Sequence, residues 1–179
     1  MKALKIFIAL FLLSFASFAQ YKNLTIQAAG LTCSMCSNTI NKALQTLPYI
    51  ESVDTDLKNN LFRITLKEGT TPDFDQIKQK VEGAGFSVAK LNVDLNFSGE
   101  QVEKDKHVKV NGKNLHFVNA KNGKLSGWHN VQIVDKGFVV SNEYKRLSKK
   151  ITTTCYQSGK AADCCDGIKA GERVYHVSI

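Results

Sequence analysis

The sequence predicts an α+β protein. A strand–helix–strand–strand–helix–strand domain over residues 20–97 is followed by a small mostly-β domain over residues 107–179. Three observations carry this expectation. In the first half the apolar residues change between a period of two and a helical period and back again. In the second half Asn-Gly and Asp-Lys-Gly signals punctuate short alternating runs. The charge also divides the chain. The whole sequence has a formal net charge of +8, yet residues 20–97 carry eight basic and eight acidic side chains, whereas residues 98–179 carry fourteen basic and eight acidic. All four histidines fall in the second half.

Met1–Ala19 reads as a secretory signal peptide. Lys2 and Lys5 form a basic start, Ile6 to Leu13 is an unbroken apolar run, and Ser17-Phe18-Ala19 places small residues where a signal peptidase cuts. The run falls short of the ~20 residues a spanning helix needs. Cleavage before Gln20 would leave an exported protein, most readily periplasmic, with no stable membrane anchor. Such a compartment permits disulfides.

The first domain is then read in order. Leu24–Ala29 alternates and is rich in strand formers, and Gly30 ends it. Cys36, Ile40, Ala43, Leu44 and Leu47 share a helical face, which Pro48 closes. Val53, Thr55 and Leu57 alternate as a second strand, Asn59-Asn60 turns, and Leu61–Leu66 is a third. Thr71 and Pro72 read as the cap and first position of a second helix lined by Phe74, Ile77, Val81 and Ala84 and ended by Gly83 and Gly85. Phe86 opens a fourth strand. The order is that of the split βαβ arrangement, a four-stranded antiparallel sheet covered by two helices.

Residues 98–106 are polar and aperiodic and read as a linker. Beyond them, Asn111-Gly112 between alternating runs signals a tight hairpin, with further turns at Asn122-Gly123 and Asp135-Lys136-Gly137. Trp128, Val131, Ile133, Phe138 and Val140 are expected in the core, and Val174–Ile179 is a closing strand. A small antiparallel barrel or sandwich follows, an OB-like barrel being one form it could take.

The chemistry concentrates at Gly30-Leu31-Thr32-Cys33-Ser34-Met35-Cys36. Two cysteines three positions apart at the start of a helix put both sulfurs on one exposed turn. The free amides and the helix dipole there favour a thiolate at Cys36. Two soft thiolates suit an ion that accepts few ligands, above all Cu(I). A closed zinc site wants four protein ligands, and the first domain holds no histidine and no third cysteine. A structural disulfide or a thiol–disulfide exchange pair would have the same spacing. The exchange reading lacks a proline placed to face the thiols: Pro48 follows the first helix and Pro72 starts the second.

This segment resembles the heavy-metal-associated domain of copper chaperones, copper-transporting ATPase tails and periplasmic mercury-binding proteins. That family carries Gly-Met-Thr-Cys-x-x-Cys at this turn; Gly30, Thr32, Cys33 and Cys36 match, and Leu31 stands in the methionine's place. The resemblance implies a ferredoxin-like fold, Cys33 and Cys36 as metal ligands, Cu(I) or the equally thiophilic Hg(II) as the ion, and Phe86, after Gly83-Ala84-Gly85, as a cover near it. It implies a metal-donating or metal-accepting protein, a transporter or another metalloprotein, as partner. Met35 between the two cysteines is expected as a solvent-side shield. On this reading the chain is a carrier or scavenger and not an enzyme, with an exported thiol–disulfide oxidoreductase using the same pair as the alternative.

The second domain holds Cys155, Cys164 and Cys165. One reading is a disulfide from Cys155 to Cys164 or Cys165 that ties down the Gly- and Ser-rich loop 152–171. The other is a second soft-metal site, with His176 or His129 as further ligands. The histidines are otherwise scattered, with no helical pair among them, and are expected at the surface or in packing. The basic cluster Lys145-Arg146 and Lys149-Lys150 is not interleaved with exposed-looking aromatics, so nucleic acid is not expected as a partner. Phosphate-loop, nucleophile-elbow and dinucleotide-binding glycine patterns are absent from the sequence.

Overall fold

The computed structural model describes residues 20–179, so the signal-peptide reading of 1–19 lies outside it. Among the described residues no helix is long and apolar enough to cross a membrane. In chain order the elements are β1 Tyr21–Ala29, α1 Ser34–Gln45, β2 Ile50–Asp56, β3 Leu61–Leu66, α2 Phe74–Gly83, β4 Ser87–Val102, β5 His107–Val110, β6 Lys113–Phe117, β7 Gly123–Ile133, α3 Ser141–Ser148, α4 Thr154–Ser158 and β8 Val174–Ser178.

The first half has the expected strand–helix order. β1 lies between β3 and β4, both antiparallel to it, and β2 pairs outside β3. Ile40 and Leu44 of α1 and Phe74, Ile77 and Val81 of α2 are buried against Leu24, Ile26, Phe62 and Ile64 of the sheet. The second helix begins two residues later than the Thr71-Pro72 signal suggests. Asp73 is its cap, because its carboxylate accepts the Gln76 N–H at 3.0 Å, and a carboxylate at the helix N-terminus is favoured by the dipole as well as by the bond.

The second half does not stand apart. All eight strands form one sheet in the order β2-β3-β1-β4-β7-β8-β6-β5. The end strands β2 and β5 are not neighbours, so no barrel closes. The joint is β4, which continues through the position read as a domain boundary: residues 98–102, expected in a linker, are its last stretch. There β4 pairs with β7 from Leu91↔Ile133 to Val102↔Gly123, with a bulge between Ser98 and Glu100. Gly99 sits in the bulge at φ 103°. One inserted residue shifts the alternation by a position, which is why the polar sequence around it hides a strand that ends on fully buried Val102.

The Asn111-Gly112 turn closes the β5–β6 hairpin with both residues at positive φ, and β6 runs parallel to β8. Alternate residues of β8 enter two different cores. Tyr175 and Val177 join the α1/α2 side, whereas Val174 packs with Cys155, Ala161 and Cys165. The sheet is therefore covered on both faces here. Two expected core residues are not buried: Trp128 is 46% exposed and Val140 44%. Trp128 precedes the stretch of β7 that β8 pairs with, and Val140 caps α3 from outside.

Side chains of α2 also fasten the halves together. Phe74 of α2 meets Tyr175 edge-on at 5.1 Å between centroids. Asp75 accepts from Arg173 Nε at 2.8 Å and from the Tyr175 hydroxyl at 2.9 Å.

Candidate metal centre

The turn between β1 and α1 places the thiols. Gly30 leaves β1 at φ 85°, a conformation that costs a residue with a Cβ. Leu31, in the position of the family's methionine, and Phe86 each pack against the edge of the core. Phe86 is near Gly30: a Cβ on the glycine would lie in ordinary contact with the ring, at 4.0 Å. Phe86 thus borders the base of the thiol turn.

Cys33 is itself the cap of α1. Its backbone is extended, and its sulfur accepts the Cys36 N–H at 3.3 Å. The sequence alone suggested only that Cys36 enters the helix. In the structure the first turn of α1 contains no acidic residue, so nothing there competes electrostatically with a thiolate. The hydrogen bond from Cys33 holds the Cys36 thiol below its ordinary range, with backbone N–H groups of the turn adding to the effect. Cys33 is exposed and Cys36 half-buried, so an incoming group can reach the pair from solvent. Met35 between them is 79% exposed and belongs to the rim.

The other three cysteines lie elsewhere, on the sheet face opposite α1 and α2. Their sulfurs are within 4.8 Å of one another, and all five cysteines of the chain are free thiols. His176, Cys155 and Cys165 are brought together. His129 is not; its Nε2 faces the Ser126 carbonyl at 3.2 Å. His107 and His116, expected at the surface or in packing, join the group. A signal for part of this was present: the two stand at equal distance on either side of the Asn111-Gly112 turn, so a tight hairpin must place them opposite each other. Burial pushes the Cys155 thiol up to about 12 and the His116 imidazole down to about 4.

The fold and thiol turn of the first half define a ferredoxin-like module that presents an exposed cysteine pair at its first strand–helix junction. The heavy-metal-associated domain family matches residues 25–87 of the chain. The copper chaperone CopZ of Staphylococcus haemolyticus is 30% identical over 66 residues, 37% of this chain and 96% of that protein. The chain belongs to the heavy-metal-associated domain family. A probable copper-transporting ATPase, HMA5, of Arabidopsis thaliana is 30% identical over 86 residues, and the copper-transporting ATPase of Saccharomyces cerevisiae 39% over 57. The chain spans only 8% and 6% of the length of those two relatives. Among solved structures, the yeast copper transporter domain Ccc2a is 34% identical, with 36% of this chain and 88% of that one aligned at a TM-score of 0.33.

Proposed function

We propose that the protein is an exported carrier of a soft metal ion, held by Cys33 and Cys36 and passed on by ligand exchange. The observation that carries this reading is the thiol turn: two solvent-accessible sulfurs at a helix start, one capped by an amide and the other held toward its thiolate. Thiolates select soft ions, and the relatives whose names speak of copper make Cu(I) the cargo of choice. Hg(II) would fit the same pair of sulfurs. The Met1–Ala19 segment supports a periplasmic site of action.

Transfer needs no redox step. A partner thiolate adds to the two-coordinate ion, a three-coordinate intermediate forms, and either Cys33 or Cys36 departs with the lone pair of its broken metal–sulfur bond. The exposure of Cys33 is what admits the incoming sulfur. The partner would be another thiol-bearing metal protein, a transporter or a metalloenzyme, and the brevity of such docking suits exchange between exposed turns.

Competition of the reduced chain with a chromophoric Cu(I) chelator tests this. Cys33→Ser should remove one tightly bound Cu(I) per chain, and Cys36→Ser should do the same. Unchanged Cu(I) binding in Cys33→Ser, together with exchange of a test disulfide that the variant loses, would replace the carrier with an oxidoreductase.

A further inference from the structure

Strands β5, β6 and β8 carry one histidine each in register. His107 stands opposite His116, and His116 opposite His176. Cross-strand partners share a face, so the three imidazoles form a row across the sheet, with ring centroids 4.5 Å and 4.8 Å apart along it. Cys155, near the start of α4, is lowered onto this row. Its sulfur lies 3.4 Å from His176 Nε2, 3.6 Å from His107 Nε2 and 3.8 Å from His116 Nδ1. Cys165 reaches the same His107 nitrogen at 3.3 Å. His116, His176 and Cys155 are each 0% exposed.

Hydrogen bonding serves this group poorly. A thiol has one proton to donate, and Cys155 faces three ring nitrogens and the Thr153 hydroxyl. Its one proton reaches only one of them, and any other ring must turn an N–H toward a weakly accepting sulfur. His116 presents Nδ1 to the sulfur, while its Nε2 lies 3.7 Å from Asp105 Oδ1. A cation instead accepts the converging sulfur and imidazole lone pairs at once.

The sulfur–nitrogen distances agree, and the ligand atoms of His107, His116 and Cys155 lie within 4.8 Å of one another. With metal–sulfur bonds of ~2.3 Å and metal–nitrogen bonds of ~2.0–2.1 Å, a tetrahedral ion holds sulfur and nitrogen roughly 3.5–3.6 Å apart. The sulfur–nitrogen separations here run from 3.3 to 3.8 Å. The support behind the ligands is also present. His176 Nδ1 lies 2.7 Å from Asp135 Oδ1, and a carboxylate acceptor there places the ring proton on Nδ1 and turns the Nε2 lone pair toward Cys155. Asp135 is held in turn by Arg173 at 3.1 Å.

We propose that Cys155, His107, His116 and His176, with Cys165 at the rim beside His107, form a second metal site for one closed-shell transition-metal ion, Zn(II) or Cu(I). On binding, the Cys155 S–H bond is replaced by a sulfur–metal bond and the proton leaves to solvent; no electron moves. The mixed imidazole and thiolate donors match both ions. The same atoms resemble a Cys–His–Asp nucleophile, but Cys155 is fully enclosed and no substrate bond could reach it.

The site is independent of the carrier pair, and its test removes that pair. The reduced mature chain carrying Cys33→Ser and Cys36→Ser is offered Zn(II), Cu(I) or Co(II), each alone. One ion per chain should remain bound, and Co(II) should show tetrahedral ligand-field bands with sulfur-to-cobalt charge transfer. Zn(II) and Cu(I) affinities measured against chelators then decide which ion the site prefers. Adding Cys155→Ala should abolish the charge-transfer band. Adding Asp135→Asn, which leaves every ligand in place, should weaken binding 10–100-fold. Should Cys155→Ala fail to fold by circular dichroism, His107→Asn at the half-buried rim replaces it and should weaken binding at least tenfold. Absence of a bound ion in the double variant overturns the proposal, as does binding that survives Cys155→Ala, or a Cys155–Cys165 disulfide mapped in protein taken from the exported compartment.

Discussion

The Asp75 carboxylate joins the two halves of the sheet, so Asp75→Asn measures how firmly they are joined. Asp75 sits in the first turn of α2 and accepts from Arg173 Nε, Arg173 Nη2 and the Tyr175 hydroxyl at 2.8, 3.3 and 2.9 Å. Hydrogen bonds to a charged group contribute about 1.5–3 kcal/mol. Arg173 and Asp75 are 29% and 28% exposed, which lets solvent screen part of that, and asparagine keeps one acceptor. A loss of about 2 kcal/mol at pH 7 follows from these terms. For a chain of this size it corresponds to a fall in Tm of roughly 4–8 °C.

The pH dependence gives the sharper test. Burial alone would raise the Asp75 carboxyl, but the Arg173 hydrogen bonds and charge, with the Tyr175 hydroxyl, outweigh it and hold the group below the ordinary carboxylate range. A folded value below the unfolded value of ~3.9 means that the native state binds fewer protons. The stability it contributes is complete above the unfolded value and is lost as pH falls through the folded one. Urea unfolding of both proteins should therefore show a constant difference from about pH 7 to about pH 5 that shrinks below about pH 4. A difference under about 0.5 kcal/mol at pH 7, or one equal at pH 3 and pH 7, would refute the reasoning. So would two unfolding transitions of which only one moves, because one continuous sheet predicts that the halves unfold together.

Two further outcomes follow from local geometry. Cys33→Ala removes the hydrogen bond that lowers the Cys36 thiol, so the pH midpoint of Cys36 alkylation in the metal-free protein should rise; an unchanged midpoint would assign the lowering to the helix amides alone. Gly159→Ala places a Cβ 2.7 Å from Arg173 Nη1 at a residue with φ 70°, and should cost about 1–2 kcal/mol from the backbone alone while displacing the arginine that holds Asp135 and Asp75. Combined with Asp75→Asn it should lose less than the sum of the two, because both act through Arg173.

The fold of residues 20–97 was legible because its signals are local. The alternation of Leu24, Ile26 and Ala28, the helical spacing of Ile40 and Leu44, and Gly30 before a thiol pair each depend on neighbours a few positions away. The β5–β6 hairpin was legible for the same reason, and His107 facing His116 could have been deduced from it. The fused sheet was not. Gly99 and its bulge put the β4 alternation out of phase, and β4 finds its partner β7 some 30 residues on, by pairing that leaves no periodic trace.

By itself, then, the amino-acid sequence determined a heavy-metal-associated module with Cys33 and Cys36 at a strand–helix turn, because a helix start, a glycine and a cysteine pair are contiguous. It also determined that three more cysteines and four histidines sit in the other half. Only the tertiary structure decided which of those meet. His116 and His176 are neighbours through a parallel pairing of β6 and β8, and Cys155 reaches them from a helix packed on that face. A parallel pairing needs a long crossover, and the spacing of its residues along the chain carries no record of which of them end up side by side.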